Sequence, residues 1–153
     1  MLGKMAHVGI TVRDMNKALN FYRDTLGMQV LGDVVTIAGE EADSLTQLTG
    51  TSLQIAYLRS KDDVKSPPLE LLHFVEPRGE DGKPYARLTN PGITEVAFWV
   101  KDIEKSYEEL RTKGVAFYSR PQLFALEGYG KVKAVYFCDP DGTTLELVQV
   151  VKE

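Results

Sequence analysis

The sequence predicts an α+β protein built from two tandem β-α-β-β-β modules. Three observations carry that prediction. The 153-residue chain repeats itself, each copy switches from strand-like to helix-like apolar spacing, and the switches carry an acidic cap and a closing glycine at matching places.

The first repeat is the plainest. His7-Val8-Gly9-Ile10-Thr11-Val12-Arg13-Asp14-Met15-Asn16-Lys17 aligns without a gap on Glu95-Val96-Ala97-Phe98-Trp99-Val100-Lys101-Asp102-Ile103-Glu104-Lys105, at an offset of 88. Each copy reads as a strand, a basic residue, an Asp and a helix. The Asp carboxylate can accept the orphan N–H groups of the first helical turn. After Asp14, apolar residues recur at Met15, Ala18, Leu19, Tyr22 and Leu26, and Gly27 closes the helix. After Asp102 they recur at Ile103, Tyr107 and Leu110, and Gly114 closes it.

A second repeated pair follows. Leu69-Glu70-Leu71-Leu72 matches Leu145-Glu146-Leu147-Val148 at an offset of 76, so the first half carries 12 more residues than the second. They are placed at Gly39 to Gly50, where Gly39 to Leu48 reads as a short inserted helix. Strands are expected over Val30–Ile37 and Ser52–Arg59, with Val115–Ser119 and Val132–Cys138 in the same slots of the second half. Asp139-Pro140-Asp141-Gly142 is a hairpin turn, because Pro presets φ and Gly accepts positive φ. The modules are therefore residues 1–76 and 91–153. A polar linker, 77–90, holds Pro77, Gly79, Gly82 and Pro84.

Composition narrows the function. Apolar residues make up 43% and charged residues 26%, as in a soluble globular protein. The 18 Lys and Arg against 22 Asp and Glu leave a net charge of −4, which argues against nucleic acid and anionic membranes as partners. No apolar run approaches the roughly 20 residues that span a bilayer, and the first residues lack a signal-peptide core. Cys138 is the only cysteine, so no intrachain disulfide forms, which suits the cytoplasm.

Strand alternation then sorts the polar residues. Val8, Ile10 and Val12 form the helix-packed face of the first strand, and His7, Gly9 and Thr11 the other. In the matching strand Glu95, Ala97 and Trp99 face away from the helix. Glu70 and Glu146, each flanked by leucines, do the same. A single glutamate on such a strand is ordinarily a solvated residue, and a single histidine a surface one. Here the positions are repeat-equivalent and their faces are otherwise apolar, with Leu72 and Phe74 beside Glu70, and Val148 and Val150 beside Glu146. If a pseudo-twofold axis relates the halves, His7, Glu70, Glu95 and Glu146 come from four equivalent strand positions. Three carboxylates and an imidazole converging in a half-buried cleft repel one another unless a cation sits among them, which points to one divalent metal.

These modules, the opening His7-Val8-Gly9-Ile10, the segment Ala18-Leu19-Asn20-Phe21-Tyr22-Arg23-Asp24-Thr25-Leu26-Gly27 and the ending Asp139-Pro140-Asp141-Gly142-Thr143-Thr144-Leu145-Glu146-Leu147 resemble the vicinal oxygen chelate superfamily. That group takes in glyoxalase I, methylmalonyl-CoA epimerase, extradiol dioxygenases and bleomycin-resistance proteins. The resemblance covers nearly the whole chain. It implies a single domain, 1–153, with a curved, barrel-like mixed sheet and the helices outside. It also implies one metal ligand from each of four strands. His7, Glu70 and Glu146 match the first, second and fourth, whereas the third, commonly His, is Glu95. Mn, Mg, Fe, Ni, Co and Zn all remain candidates, the extra carboxylate favouring Mn, Mg or Fe over Zn. Dioxygenase-like sites need a second histidine. The only one, His73, lies three residues after Glu70 and so points to the opposite strand face, beside the helix or at a subunit contact.

The resemblance further implies a glyoxalase- or epimerase-type lyase or isomerase, stabilising an enediolate-like intermediate of a small α-oxygenated carbonyl or thioester. Glu70 and Glu146 are the base candidates, with Glu95 competing for either role. Thr11, Gln54, Trp99 and Tyr136 are expected on cleft-facing positions, as substrate contacts or as simple filling. Gly128-Tyr129-Gly130 reads as a mobile flap or a plain hairpin. The alternative is a non-catalytic, antibiotic-sequestering protein of the bleomycin-resistance type, which holds a small molecule without metal. A homodimer is implied in either case.

Overall fold

The computed structural model describes residues 2–82, 84, 87–128 and 130–151. The chain divides into two units, Met1–Gly82 and Lys83–Glu153. The first holds β1 (Val8–Thr11), α1 (Met15–Leu19), β2 (Gln29–Ala38), α2 (Glu40–Thr46), β3 (Ser52–Arg59) and β4 (Leu69–Glu76). The second holds β5 (Val96–Trp99), α3 (Ile103–Thr112), β6 (Gln122–Leu126), β7 (Gly130–Cys138) and β8 (Thr144–Val151). The strand orders are β1-β4-β3-β2 and β5-β8-β7-β6. In each sheet the first pair is parallel and the other two are antiparallel. The predicted class is thus the one that forms, as two open mixed sheets of the same topology. Among the described residues, no helix is long and apolar enough to cross a membrane.

Both predicted caps close their helices. Asp14 accepts from the Lys17 N–H at 2.9 Å and Asp102 from the Lys105 N–H at 3.1 Å, each with the cap residue extended. Each cap carboxylate therefore satisfies a donor that the helix cannot pair internally. Gly27 and Gly114 stop the helical segments at φ +77° and +85°, conformations that a side chain would strain. Between Leu19 and Gly27 the chain widens into a π-helical turn, Asn20–Thr25, which 3.6-residue spacing does not predict. Tyr22, within that turn, is fully buried.

Alternation decides which sheet face packs. In the first unit Ile10, Leu71 and Ala56 stand in register and are buried, with Leu69 and Leu58 in the adjoining row. α1 covers this face and buries Ala18 and Leu19. In the second unit Phe98, Leu147 and Val135 form one row and Val96, Leu145 and Phe137 the next, beside the buried Ile103 of α3. Each large apolar side chain fully removed from water contributes about 1.5–3 kcal/mol, so these rows fix the register of every strand. The remaining face of each sheet is left for chemistry.

One residue per unit on the packed face reaches the segment that enters the helix. The His73 Nδ1–H donates to the Val12 carbonyl at 3.2 Å. Its repeat equivalent, Gln149, accepts from the Ile103 N–H through Oε1 at 2.8 Å. His73 therefore points away from the Glu70 face, as its spacing predicts.

The predicted strand Val115–Ser119 does not form. Only Phe117 makes a bridge there, to Phe137, and the outer strand is Gln122–Leu126. Pro121 has no N–H to donate, so the chain breaks before it and pairs afresh with β7 beyond it. The β7–β8 connection forms as expected. The buried Asp139 carboxylate accepts from the N–H groups of Asp141 and Thr143 at 2.9 and 2.8 Å. In the inserted α2 segment the Asp43 carboxylate accepts from Gly50 and Thr51 at 2.9 and 2.6 Å. Gly128 and Gly130 flank the β6–β7 hairpin, and Tyr129 of the expected flap lies outside the described residues, as do Lys83, Tyr85 and Ala86 of the expected linker.

Candidate functional site

In the first unit the site grows from one register position. The parallel pairing of β1 with β4 sets Gly9 beside Glu70, and the antiparallel pairing of β3 sets Tyr57 on its other side. All three therefore share the face opposite α1. His7 precedes β1 by one residue and brings Nε2 within 3.2 Å of Glu70 Oε2. The Tyr57 hydroxyl donates to Glu70 Oε1 at 2.6 Å. Glu70 is buried, and both of its oxygens are engaged, as burial of a carboxylate demands. That hydrogen bond, then burial, then the Glu70 charge push the Tyr57 hydroxyl above its ordinary pKa.

Gly9 has a steric role. A Cβ there would stand 3.3 Å from Leu72 Cδ1 and 3.5 Å from Glu70 Oε2. The missing side chain keeps the flank of the carboxylate open, on the side that faces His7.

The second unit repeats the frame with different chemistry. Ala97, Glu146 and Tyr136 stand in register, and Glu95 precedes β5 as His7 precedes β1. Burial, and then the neighbouring Glu95 charge, hold the Glu146 carboxyl above the usual carboxylate range. The Tyr136 hydroxyl is also raised, by burial and then by Glu95 and Glu146. Among the described residues Tyr136 makes no hydrogen bond to Glu146. No ion pair there includes Glu95 or Glu146.

The four expected ligands thus stand as two pairs, His7 with Glu70 and Glu95 with Glu146. Among the described residues, no three or more His, Cys, Asp or Glu gather into one metal-binding group. The donors of each pair suit a divalent cation nonetheless. The first offers an imidazole and a fixed carboxylate, the second two half-buried carboxylates whose mutual repulsion a cation relieves.

Of the expected pocket residues, Thr11 and Tyr136 stand on the ligand faces, as does Trp99, which is 73% exposed. Trp99, Val148 and Ala134 form one row beside Glu146, and Val150, Val132 and Phe124 another. Gln54 is a correction. It registers with His73, on the packed face of Ala56 and Leu58, because counting by two from Tyr57 skips it. Sequence reasoning missed Tyr57 and Gly9. A signal for Tyr57 existed, since a tyrosine lies on the strand before the Leu-Glu-Leu segment in both halves, at Tyr57 and Tyr136.

A pH prediction follows from Glu146. Its folded carboxyl titrates above its unfolded value, so its contribution to stability is full in acid, below the unfolded pKa. That contribution is lost as pH rises through the folded pKa. Glu146→Gln is therefore expected to raise the melting temperature of metal-free protein at pH 7. Solvent screening keeps the gain below about 4 °C, and it disappears near pH 4, around the unfolded carboxyl pKa. Melting curves at the two pH values check this.

Comparison with known proteins places the frame. Residues 4–147 match the family described as the Glyoxalase/Bleomycin resistance protein/Dioxygenase superfamily. The chain is 31% identical to a lactoylglutathione lyase of Schizosaccharomyces pombe over 95% of its own length, and spans 47% of that relative. It is 27% identical to a probable lactoylglutathione lyase of Synechocystis, over 95% of this chain and 94% of the relative. A crystal structure of a glyoxalase family protein from Bacillus cereus superposes with a TM-score of 0.82 at 22% identity, covering 99% of this chain and 97% of the other.

Proposed function

This chain belongs to the Glyoxalase/Bleomycin resistance protein/Dioxygenase superfamily, and we propose that it is a divalent-metal-dependent lyase or isomerase of an α-oxygenated carbonyl or thioester. The proposed ligands are His7, Glu70, Glu95 and Glu146, and the proposed cofactor is one divalent ion. The observation that carries this reading is the repetition of a donor pair at equivalent strand positions, His7–Glu70 and Glu95–Glu146, on otherwise apolar faces. When bound, the ion supplies Lewis acidity to a substrate oxygen and so acidifies the adjacent C–H.

The chain's own groups divide the remaining work. Glu70, with both oxygens engaged, holds its place. Glu146 makes no hydrogen bond to its neighbouring tyrosine and favours the protonated form more than an ordinary carboxyl does. Less fixed than Glu70, it is the proposed base of the two. Trp99, Val148 and Phe124, on the face that carries Glu146, take the apolar part of the substrate.

Chelator-treated protein reloaded in turn with Mn, Mg, Fe, Ni, Co and Zn, and assayed on a glutathione hemithioacetal and on a chiral α-methyl CoA thioester, tests this reading. Turnover with at least one metal, abolished by chelator, is expected. Absence of turnover with every metal would overturn the enzyme reading. It would leave the non-catalytic binding protein, which the replacement of the expected third histidine by Glu95 and the exposed Trp99 favour.

A further inference from the structure

The outer strands of the two sheets, β2 and β6, are repeat-equivalent but built differently. β2 is ten residues long, and its pairing shifts between Leu31 and Val35. Gly32, at φ +73°, and the exposed Asp33 sit in that irregularity. A bulge and a charge are what keep an edge strand from pairing further. β6 has neither. Its residues Gln122-Leu123-Phe124-Ala125-Leu126 pair with β7 without a shift, carry no charge and are all exposed. Leu123 and Ala125 stand on one face, Phe124 and Leu126 on the other. Among the described residues β6 pairs with no strand but β7, so its outer side presents unpaired backbone groups. We propose that β6 is a self-association surface, on which β6 of a second copy of this chain pairs antiparallel.

The strand is complementary to itself. Two copies overlap along their whole length only when the twofold axis passes beside Phe124, the middle residue. Phe124 then faces its own equivalent, an aromatic pair, and each Leu123 faces an Ala125, large against small. Just beyond the strand ends, the exposed Glu127 of one copy falls opposite Pro121 of the other, next to its exposed Arg120. Arg120 and Glu127 lie outside the paired residues, where strand alternation no longer holds them to opposite faces. Opposite charges therefore meet at both ends, and no like charges meet between. The pairing satisfies the outer backbone groups and covers apolar side chains on both faces. It is independent of the metal reading.

Sedimentation of the full chain across a range of concentrations gives the dimer constant, and wild type is expected to dimerise. Leu123→Glu combined with Ala125→Glu sets carboxylates opposite Lys133 and Lys131 of β7 within the chain, which keeps the hairpin, and carboxylate opposite carboxylate across the twofold axis. That double variant should dimerise at least about 10-fold more weakly, since two repelling pairs replace two apolar ones. Arg120→Glu should weaken dimerisation about 3-fold or more at low salt, and Arg120→Glu combined with Glu127→Arg should restore it to within a factor of about two. Should the Leu123 and Ala125 double variant fail to fold, the charge exchange carries the test alone. Amide hydrogen exchange of wild type locates the surface: protection over Gln122–Leu126 should rise with protein concentration. Wild type that stays monomeric at millimolar concentration would overturn the proposal. So would a dimer that neither set of substitutions weakens, or one whose concentration-dependent protection falls on β2 instead.

Discussion

If Glu70 is the ligand proposed above, replacing it with alanine is expected to weaken divalent-metal binding at least about 100-fold, beyond the loss for an outer partner. Turnover should fall with metal occupancy. Two neighbours sharpen the effect. His7 Nε2 loses the carboxylate oxygen 3.2 Å away, and the Tyr57 hydroxyl loses its acceptor. A part-buried hydroxyl without a partner costs about 1–3 kcal/mol, so the metal-free variant should also unfold at lower denaturant. Metal titration and chemical denaturation of the same preparation separate the two losses. Glu70→Gln keeps the volume and one acceptor oxygen, so it should recover much of the stability and little of the affinity.

The second large effect is stabilisation by the metal itself. Binding to the folded state alone adds RT ln(1 + [L]/Kd), about 2.7 kcal/mol at a free concentration of 100 Kd. For a chain of this size that is on the order of 5–11 °C in melting temperature. The gain should shrink as pH falls from 7 toward 5. On the proposed assignment Glu146, whose carboxyl is held above its usual range by burial and by Glu95, must release its proton to ligate, so acid competes with the cation. Glu146→Gln should remove most of the gain at pH 7, opposite in sign to its effect on the metal-free protein. A melting temperature insensitive to every divalent ion tried would contradict the ligand assignment.

Much of the fold was legible because its signals are local and doubled. Asp14 and Asp102 cap their helices because the residue type, its place before an apolar period and its repetition all agree. Glu70 and Glu146 were placed on the non-helix face by alternation alone, and the register of Leu71 and Leu147 under the helices puts them there. What escaped depended on longer-range geometry. The apolar run Val115–Ser119 reads as the outer strand of the second sheet, whereas pairing with β7 resumes only beyond Pro121. The face of Gln54 depends on which neighbour the alternation is counted from, and only pairing with β4 fixes that start. Tyr57 is not legible from composition, because its acceptor lies 13 residues away on the next strand. The widened turn at Asn20–Thr25 has no apolar period of its own to announce it.

Elemental analysis of protein purified without chelator tests the central claim most directly. About one equivalent of a single divalent metal per chain is expected in the wild type, with that metal lost from Glu70→Ala and from Glu146→Ala alike. Metal-free wild type that stays metal-free after incubation with excess Mn, Mg, Fe, Ni, Co or Zn would contradict it. So would metal retained undiminished in both variants.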